Sequence, residues 1–158
     1  FTSDEIWQFM PHSADRDARN VMFNDMPEAT DNVDGELLAR WEKIHAVRDD
    51  VKKALELARA QKVIGASLDA SVTIFADGET YEFLSSIGDI LPGVLIVSDL
   101  AINKGGEGEF KGEQDFTVTV KHAEGKKCAR CWAYSNTVGT VSGSEDICER
   151  CARVLEEQ

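Results

Sequence analysis

Residues 127–151 read KCARCWAYSNTVGTVSGSEDICERC and contain all four cysteines of the chain. The cysteines form two Cys-x2-Cys pairs separated by 16 residues: Cys128, Cys131, Cys148 and Cys151. Two intervening residues let a tight turn aim both thiolates at one point, and two such turns supply the four tetrahedral ligands of a structural Zn2+. The stretch therefore predicts one structural metal site, with zinc favoured over a rubredoxin-like iron that takes the same ligands.

The sequence alone also allows two other roles for these cysteines. A pair of disulfides is disfavoured because no signal peptide or other secretory feature is visible. A thioredoxin-type redox pair is expected once, beside a βαβ unit, whereas this pair occurs twice in a Gly- and Ser-rich segment. A metal site remains the favoured interpretation.

Length and composition indicate a folded chain. The 158 residues are 42% hydrophobic, which suffices for a core, and contain no apolar run near the 18 residues of a membrane span. The first residue is Phe1, not Met, so we expect a piece of a longer protein.

Charge is distributed unevenly along the sequence. The whole chain carries −12, whereas residues 121–153 hold six basic and four acidic side chains. Nucleic-acid binding depends on Lys and Arg. The negative net charge of the whole chain therefore disfavours it, whereas the excess of basic side chains in residues 121–153 favours it. Because four thiolates on one Zn2+ carry −2, that excess is cancelled, and charge alone does not decide between the two.

The hydrophobic pattern predicts the secondary structure before the cysteines. A short helix over residues 2–10 precedes a polar connection over 12–34, and a long amphipathic helix follows over 35–61. Its core-facing stripe comprises Leu37, Leu38, Trp41, Ile44, Val47, Val51, Ala54, Leu55 and Ala58. Residues 68–76 alternate as a half-buried strand, and a helix over 81–91 ends at Pro92. The apolar run 94–97 predicts a buried strand, a Gly-rich loop spans 105–112, and 116–120 alternate as a third strand.

These elements give an α+β fold: a long amphipathic helix and a small β-α-β-β unit, followed by a C-terminal zinc-ribbon module with four cysteine ligands. We expect three segments: residues 1–62 as the end of a helical domain, 63–121 as a small α+β domain, and 122–158 as the zinc-binding module. His12, His45 and His122 lack partner residues that would make them catalytic. The segment 105–112 lacks the ending of a phosphate-binding loop. No catalytic residue is predicted.

Three segments, FTSDEIW at 1–7, GASLDASVTI at 65–74 and EGKKCARCW at 124–132, occur here in an order that resembles the C-terminal part of bacterial isoleucyl-tRNA synthetases. The first resembles the end of their helical anticodon-binding domain. The last is similar to the zinc module that they share with formamidopyrimidine-DNA glycosylases. The chain departs from the family at Ala129 and Ala133, where Pro and His are common, which weakens the transfer of RNA contacts.

The resemblance implies a cytoplasmic, monomeric parent enzyme that uses ATP and Mg2+ to attach isoleucine to tRNA. The ATP-binding signatures and the editing domain are absent from this sequence, so the piece is expected to be non-catalytic. It implies contact with the rest of the synthetase in cis and with the anticodon stem-loop of tRNA. Side chains beside the cysteine pairs are the RNA-binding candidates: Lys126, Lys127, Arg130, Trp132 and Arg150.

Two other functions are compatible with the sequence. The cysteine spacing also occurs in DNA glycosylases, although there a helical domain, rather than an acidic α+β unit, precedes the finger. Alternatively, the module is a purely structural scaffold, with Trp132 shielding the thiolates from water. Each alternative removes the RNA-binding role but keeps the metal site.

Overall fold

The computed structural model describes residues 2–26, 28 and 33–157. Parts of the predicted connection, at residues 27 and 29–32, lie outside the described residues. The chain divides into two compact units, Phe1–Glu36 and Leu37–Gln158. None of the helices in the described ranges is long and apolar enough to cross a membrane.

The first unit contains helix α1 (Thr2–Phe9) and a 3-10 turn at Val21–Phe23. The Trp7 indole N–H donates to the Asp17 carbonyl at 3.0 Å, and the Trp7 ring lies 4.5 Å from that of His12. The Asn24 amide donates to the same Asp17 carbonyl, so side-chain hydrogen bonds close this loop around one backbone oxygen.

The second unit begins with helix α2 (Gly35–Ala60), whose first residues straddle the unit boundary. It continues with strand β1 (Ala70–Ala76), helices α3 (Gly78–Ser86) and α4 (Leu91–Leu95), and strands β2 (Asp99–Lys104), β3 (Phe110–Lys111) and β4 (Phe116–His122). The last part holds strands β5 (Lys126–Lys127) and β6 (Tyr134–Ser135) and helix α5 (Glu149–Glu156). The predicted α+β class is confirmed.

The sheet has the order β2-β1-β4-β3. Strand β1 pairs parallel with β2, through the α3–α4 crossover, and antiparallel with β4. Alternate residues of β1 and β4 face the core, and the register sets Val72 opposite Val120 and Ile74 opposite Val118. Buried side chains of α2, α3 and α4 join them in one hydrophobic cluster, so α2 shares its core with the sheet. The segment boundaries predicted at residues 62 and 121 remain predictions.

The predicted strand over residues 94–97 is wrong. Pro92 stands in the first turn of α4, where its missing N–H costs no hydrogen bond. Leu91 and Leu95, about one helical turn apart on α4, are both buried in the core. The second strand instead occupies the more polar Asp99–Lys104, which tolerates exposure because it lies at the sheet edge.

The predicted apolar stripe of α2 is correct only from Ile44 onward. Ile44, Val51 and Leu55 are buried, whereas Leu37 and Leu38 are about half exposed and Trp41 is 37% exposed. Periodicity alone could not reveal this, because the period is the same along the whole helix while the sheet covers only its later turns.

A buried carboxylate joins α2 to the β3–β4 connection. Asp50 is 2% exposed and accepts the Gln114 backbone N–H at 2.7 Å, while the Lys53 ammonium lies 3.2 Å from it and 2.8 Å from Glu113. Burial raises the pKa of Asp50, but the N–H donors of Gln114 and Glu113 and the Lys53 ammonium outweigh it, so the pKa is lowered. A Cβ on Gly112 would overlap this carboxylate, so a residue without a side chain is required there.

Candidate metal centre and nucleic-acid interface

The two cysteine pairs converge in the last part of the second unit. The four sulfur atoms of Cys128, Cys131, Cys148 and Cys151 all lie within 4.8 Å of one another. The Cys131 and Cys148 sulfurs are 3.9 Å apart, close to the roughly 3.8 Å between sulfurs at tetrahedral corners about 2.3 Å from one ion. The arrangement fits a four-sulfur metal site.

Local backbone geometry explains the convergence. Strands β5 and β6 form a two-stranded ribbon around the first pair, and the Cys128 N–H donates to the Ala133 carbonyl at 2.9 Å. Cys148 is the N-cap of α5, so Cys151 falls in its first turn. A hydrogen bond from the Ala129 N–H to the Asp146 carbonyl, 2.9 Å, joins the two pairs. Backbone hydrogen bonds therefore help to bring the two pairs together.

The surroundings of the sulfurs favour thiolate at one of them. Burial raises the pKa of Cys128, but N–H groups of residues 131, 148 and 130 directed at its sulfur lower it to about 6. Burial, together with the neighbouring cysteines, raises the pKa of Cys148 to about 11. A bound cation would stabilise all four thiolates, because metal ligation requires the deprotonated form.

Trp132 is displayed to solvent. Its backbone has the left-handed φ of 65°, stabilised by its N–H donating to the Cys128 carbonyl at 2.9 Å, and its side chain is 64% exposed. The hydrophobic residues packed around the cysteines are Val138 and Ile147, without Trp132. This exposure argues against the alternative in which Trp132 shields the thiolates.

The five RNA-binding candidates do not share one environment. Lys126 and Arg130 are exposed. The Lys127 ammonium lies 3.8 Å from Asp69 and 5.8 Å from the centre of the Tyr134 ring. A hydrogen bond from the Arg150 guanidinium to the Cys131 sulfur, together with the attraction of that thiolate, raises the pKa of Arg150. Lys127 and Arg150 are thus partly engaged within the module.

Sequence patterns did not reveal how the module is attached to the sheet. The Ser98 hydroxyl, just after α4, accepts the Tyr134 N–H at 2.7 Å and donates to the Leu68 carbonyl at 2.5 Å. The Tyr134 ring also meets the His122 ring edge to face, with centroids 4.9 Å apart. His122 therefore packs against the module and lies outside the four-cysteine cluster.

Known proteins similar to this chain agree with this geometry. The family model described as "Zinc finger found in FPG and IleRS" matches residues 125–154. Over its whole length the chain is 42% identical to the isoleucine–tRNA ligase of Caldanaerobacter subterraneus subsp. tengcongensis and 38% identical to that of Thermoanaerobacter sp.. It is 41% identical over 99% of its length to the ligase of Bacillus cytotoxicus.

The match covers only part of each relative. The chain spans 18% of the length of the first two ligases and 17% of the third. The resemblance drawn from the three sequence segments is confirmed: over its whole length this chain is similar to part of these isoleucine–tRNA ligases, and its residues 125–154 match the zinc-finger model.

Proposed function

We propose that this chain is the tRNA-binding, zinc-stabilised C-terminal region of an isoleucine–tRNA ligase. The observation that carries the proposal is the four-sulfur cluster with the exposed Trp132 beside it. The relatives of the chain are named isoleucine–tRNA ligases. The parent enzyme would use ATP and Mg2+ bound outside this region. It would act in the cytoplasm as a monomer, with this region contacting the rest of the synthetase in cis.

The metal assignment is one structural Zn2+ held by Cys128, Cys131, Cys148 and Cys151. The sulfur spacing fits tetrahedral zinc, and four protein ligands leave no open position for chemistry. Bound zinc would supply folding free energy to the module. The role of the site is therefore to hold the neighbouring side chains in place.

The RNA-binding role rests on what the first cysteine pair displays. Unpaired bases are bound by stacking on aromatic rings and guanidinium planes, and the RNA backbone by Lys and Arg. The exposed indole of Trp132 and the exposed side chains of Arg130 and Lys126 supply these groups close together in sequence. We assign them to the anticodon stem-loop, with Lys127 and Arg150 in a secondary role.

The glycosylase alternative has less support. The matching zinc-finger family includes FPG, so the finger alone does not discriminate. The similarity to isoleucine–tRNA ligases, however, extends across the α+β unit that precedes the finger. A purely structural role remains the competing function, and it requires that RNA does not contact the module.

The zinc-loaded chain should bind a 17-nucleotide anticodon stem-loop of tRNA(Ile), measured by fluorescence anisotropy. We expect Trp132→Ala to weaken binding about 5- to 160-fold, because a stacked base contributes about 1–3 kcal/mol. Arg130→Gln should lower the slope of log affinity against log salt by about one. Trp41→Ala, at another partly exposed tryptophan, is the matched control and should bind like the wild type.

Zinc content must be measured in every variant by elemental analysis, because Arg130 and Trp132 are the sequence neighbours of Cys131. Wild-type affinity in Trp132→Ala and Arg130→Gln chains that keep one zinc would contradict RNA binding and favour the scaffold. Absence of stoichiometric metal from the freshly purified wild type would contradict the zinc assignment.

A further inference from the structure

Two adjoining depressions lie on either side of the end of α4. One, of about 540 Å³, is lined by Arg150 and Arg153 of α5 and by Cys131. The other is smaller and is lined by Arg48 and Lys52 of α2. Ile96 lines both, so the two depressions meet at this residue.

The basic side chains around Ile96 are available to a ligand. Arg48 and Lys52 are spaced i,i+4, so they project from the same face of α2 about 6 Å apart along its axis. Among the described residues, neither they nor Arg153 has an acidic partner within ion-pair distance. We call Arg48, Lys52 and Arg153 the basic strip.

The acidic residues of the two depressions do not neutralise the basic strip. Glu56 is ion-paired to Arg59, which leaves Glu149 as the acidic lining residue without such a pair among the described residues. Arg150 is directed to the Cys131 sulfur, which places it at the metal centre. Within these two depressions the basic strip therefore keeps a positive surplus, although the chain carries −12 and Lys52 also lines a depression with Asp49 and Glu113.

Ile96 forms the surface between the two depressions. Ile96 has the left-handed φ of 58°, which is unfavourable for a β-branched residue, and its side chain is 54% exposed. Pro92 and Gly93 line the larger depression. An extended ligand that occupies both depressions would pass over the exposed Ile96 side chain.

We propose that the basic strip binds the phosphodiester backbone of an RNA stem that continues from the loop held at Trp132. This inference rests on the proposed function. Three cations spread over α2 and α5 fit a polyanion better than one small phosphate, because phosphate contacts along a nucleic acid are distributed along the groove. Continuity with the module supports it, since Cys131, next to Trp132 in sequence, lines the depression that holds Arg153.

The test compares two RNAs: the 17-nucleotide stem-loop and a single-stranded heptamer with only the loop sequence. In the zinc-loaded chain, Arg48→Gln/Lys52→Gln should weaken stem-loop binding roughly tenfold and lower the salt slope by about two. Heptamer affinity should stay within about twofold of the wild type. Arg153→Gln, on the other helix, should lower the stem-loop slope by about one.

The matched control is Arg40→Gln/Lys43→Gln, the same charge change on the same helix at residues that line neither depression. It should leave both affinities unchanged. The inference is overturned if the salt slope is unchanged in both basic-strip variants, or if the two RNAs lose affinity equally. The proposed function still stands in that case if Trp132→Ala weakens RNA binding. A wild-type chain that binds neither RNA overturns both.

Discussion

The α+β unit and the cysteine module are held together by different physics within one compact unit. The sheet, α2, α3 and α4 share a cluster of buried aliphatic and aromatic side chains. The module's cluster consists of its cysteines with Val138 and Ile147, which is too small to offset the entropy of ordering its loops. One part carries its own hydrophobic core, whereas we expect the other to depend on a bound metal.

Metal removal should have the largest effect, and it should affect the cysteine module far more than the α+β unit. Chelation should unfold residues 122–158, because structural zinc contributes about 10–16 kcal/mol of binding free energy to such modules. Amide hydrogen exchange should show lost protection there and retained protection in β1 and α2. Cys128→Ser should reproduce the effect without chelator, and simultaneous loss of protection in the sheet would mean that the two parts fold as one.

The buried Asp50 carboxylate should stabilise the α+β unit and not the cysteine module. Asp50→Asn removes the charge that Lys53 and the Gln114 N–H stabilise, so we expect a loss of about 1–3 kcal/mol in the free energy of unfolding. Urea denaturation of the zinc-loaded chain measures it. Asp49→Asn, an exposed neighbour on the same helix, should change stability by less than about 0.5 kcal/mol.

The same carboxylate predicts a pH dependence. Because folding lowers the pKa of Asp50, its contribution is complete above the unfolded value of about 3.9 and is lost as pH falls through the folded pKa. The difference in stability between the wild type and Asp50→Asn should therefore shrink as pH falls below about 4. A constant difference across this range would show that the carboxylate acts by shape and not by charge.

The smallest effect is expected where the two parts meet. Ser98→Ala leaves the Tyr134 N–H and the Leu68 carbonyl without the hydroxyl that joins them, at a cost of about 1 kcal/mol. Exchange of the Tyr134 amide should accelerate while β1 stays protected. Ser86→Ala, which removes a hydroxyl that donates to the Phe83 carbonyl of its own helix, is the control, and equal exchange in the two variants would exclude a specific connection.

Much of the fold could be predicted from local patterns. The 3.6-residue period gave α2, and strict alternation gave β1 and β4, because these repeats match the faces that a helix and a strand bury. Local pattern failed at residues 94–97. There, the continuous apolar run favours a strand, but residues 94 and 95 instead end α4, in which Leu91 and Leu95 are buried.

Cysteine spacing determined the candidate metal site by itself, since two Cys-x2-Cys pairs need only local turns to present four sulfurs. Tertiary structure alone decided the exposure of Trp132, the contact of Arg150 with Cys131, and the burial of Asp50. It also decided that Arg48 and Lys52, about a hundred residues before Arg153, border the same surface. The physical reason is the sequence separation of the interacting residues. Turns and hydrophobic periods depend on residues close in sequence, whereas exposure and the proximity of charges depend on which distant elements pack together.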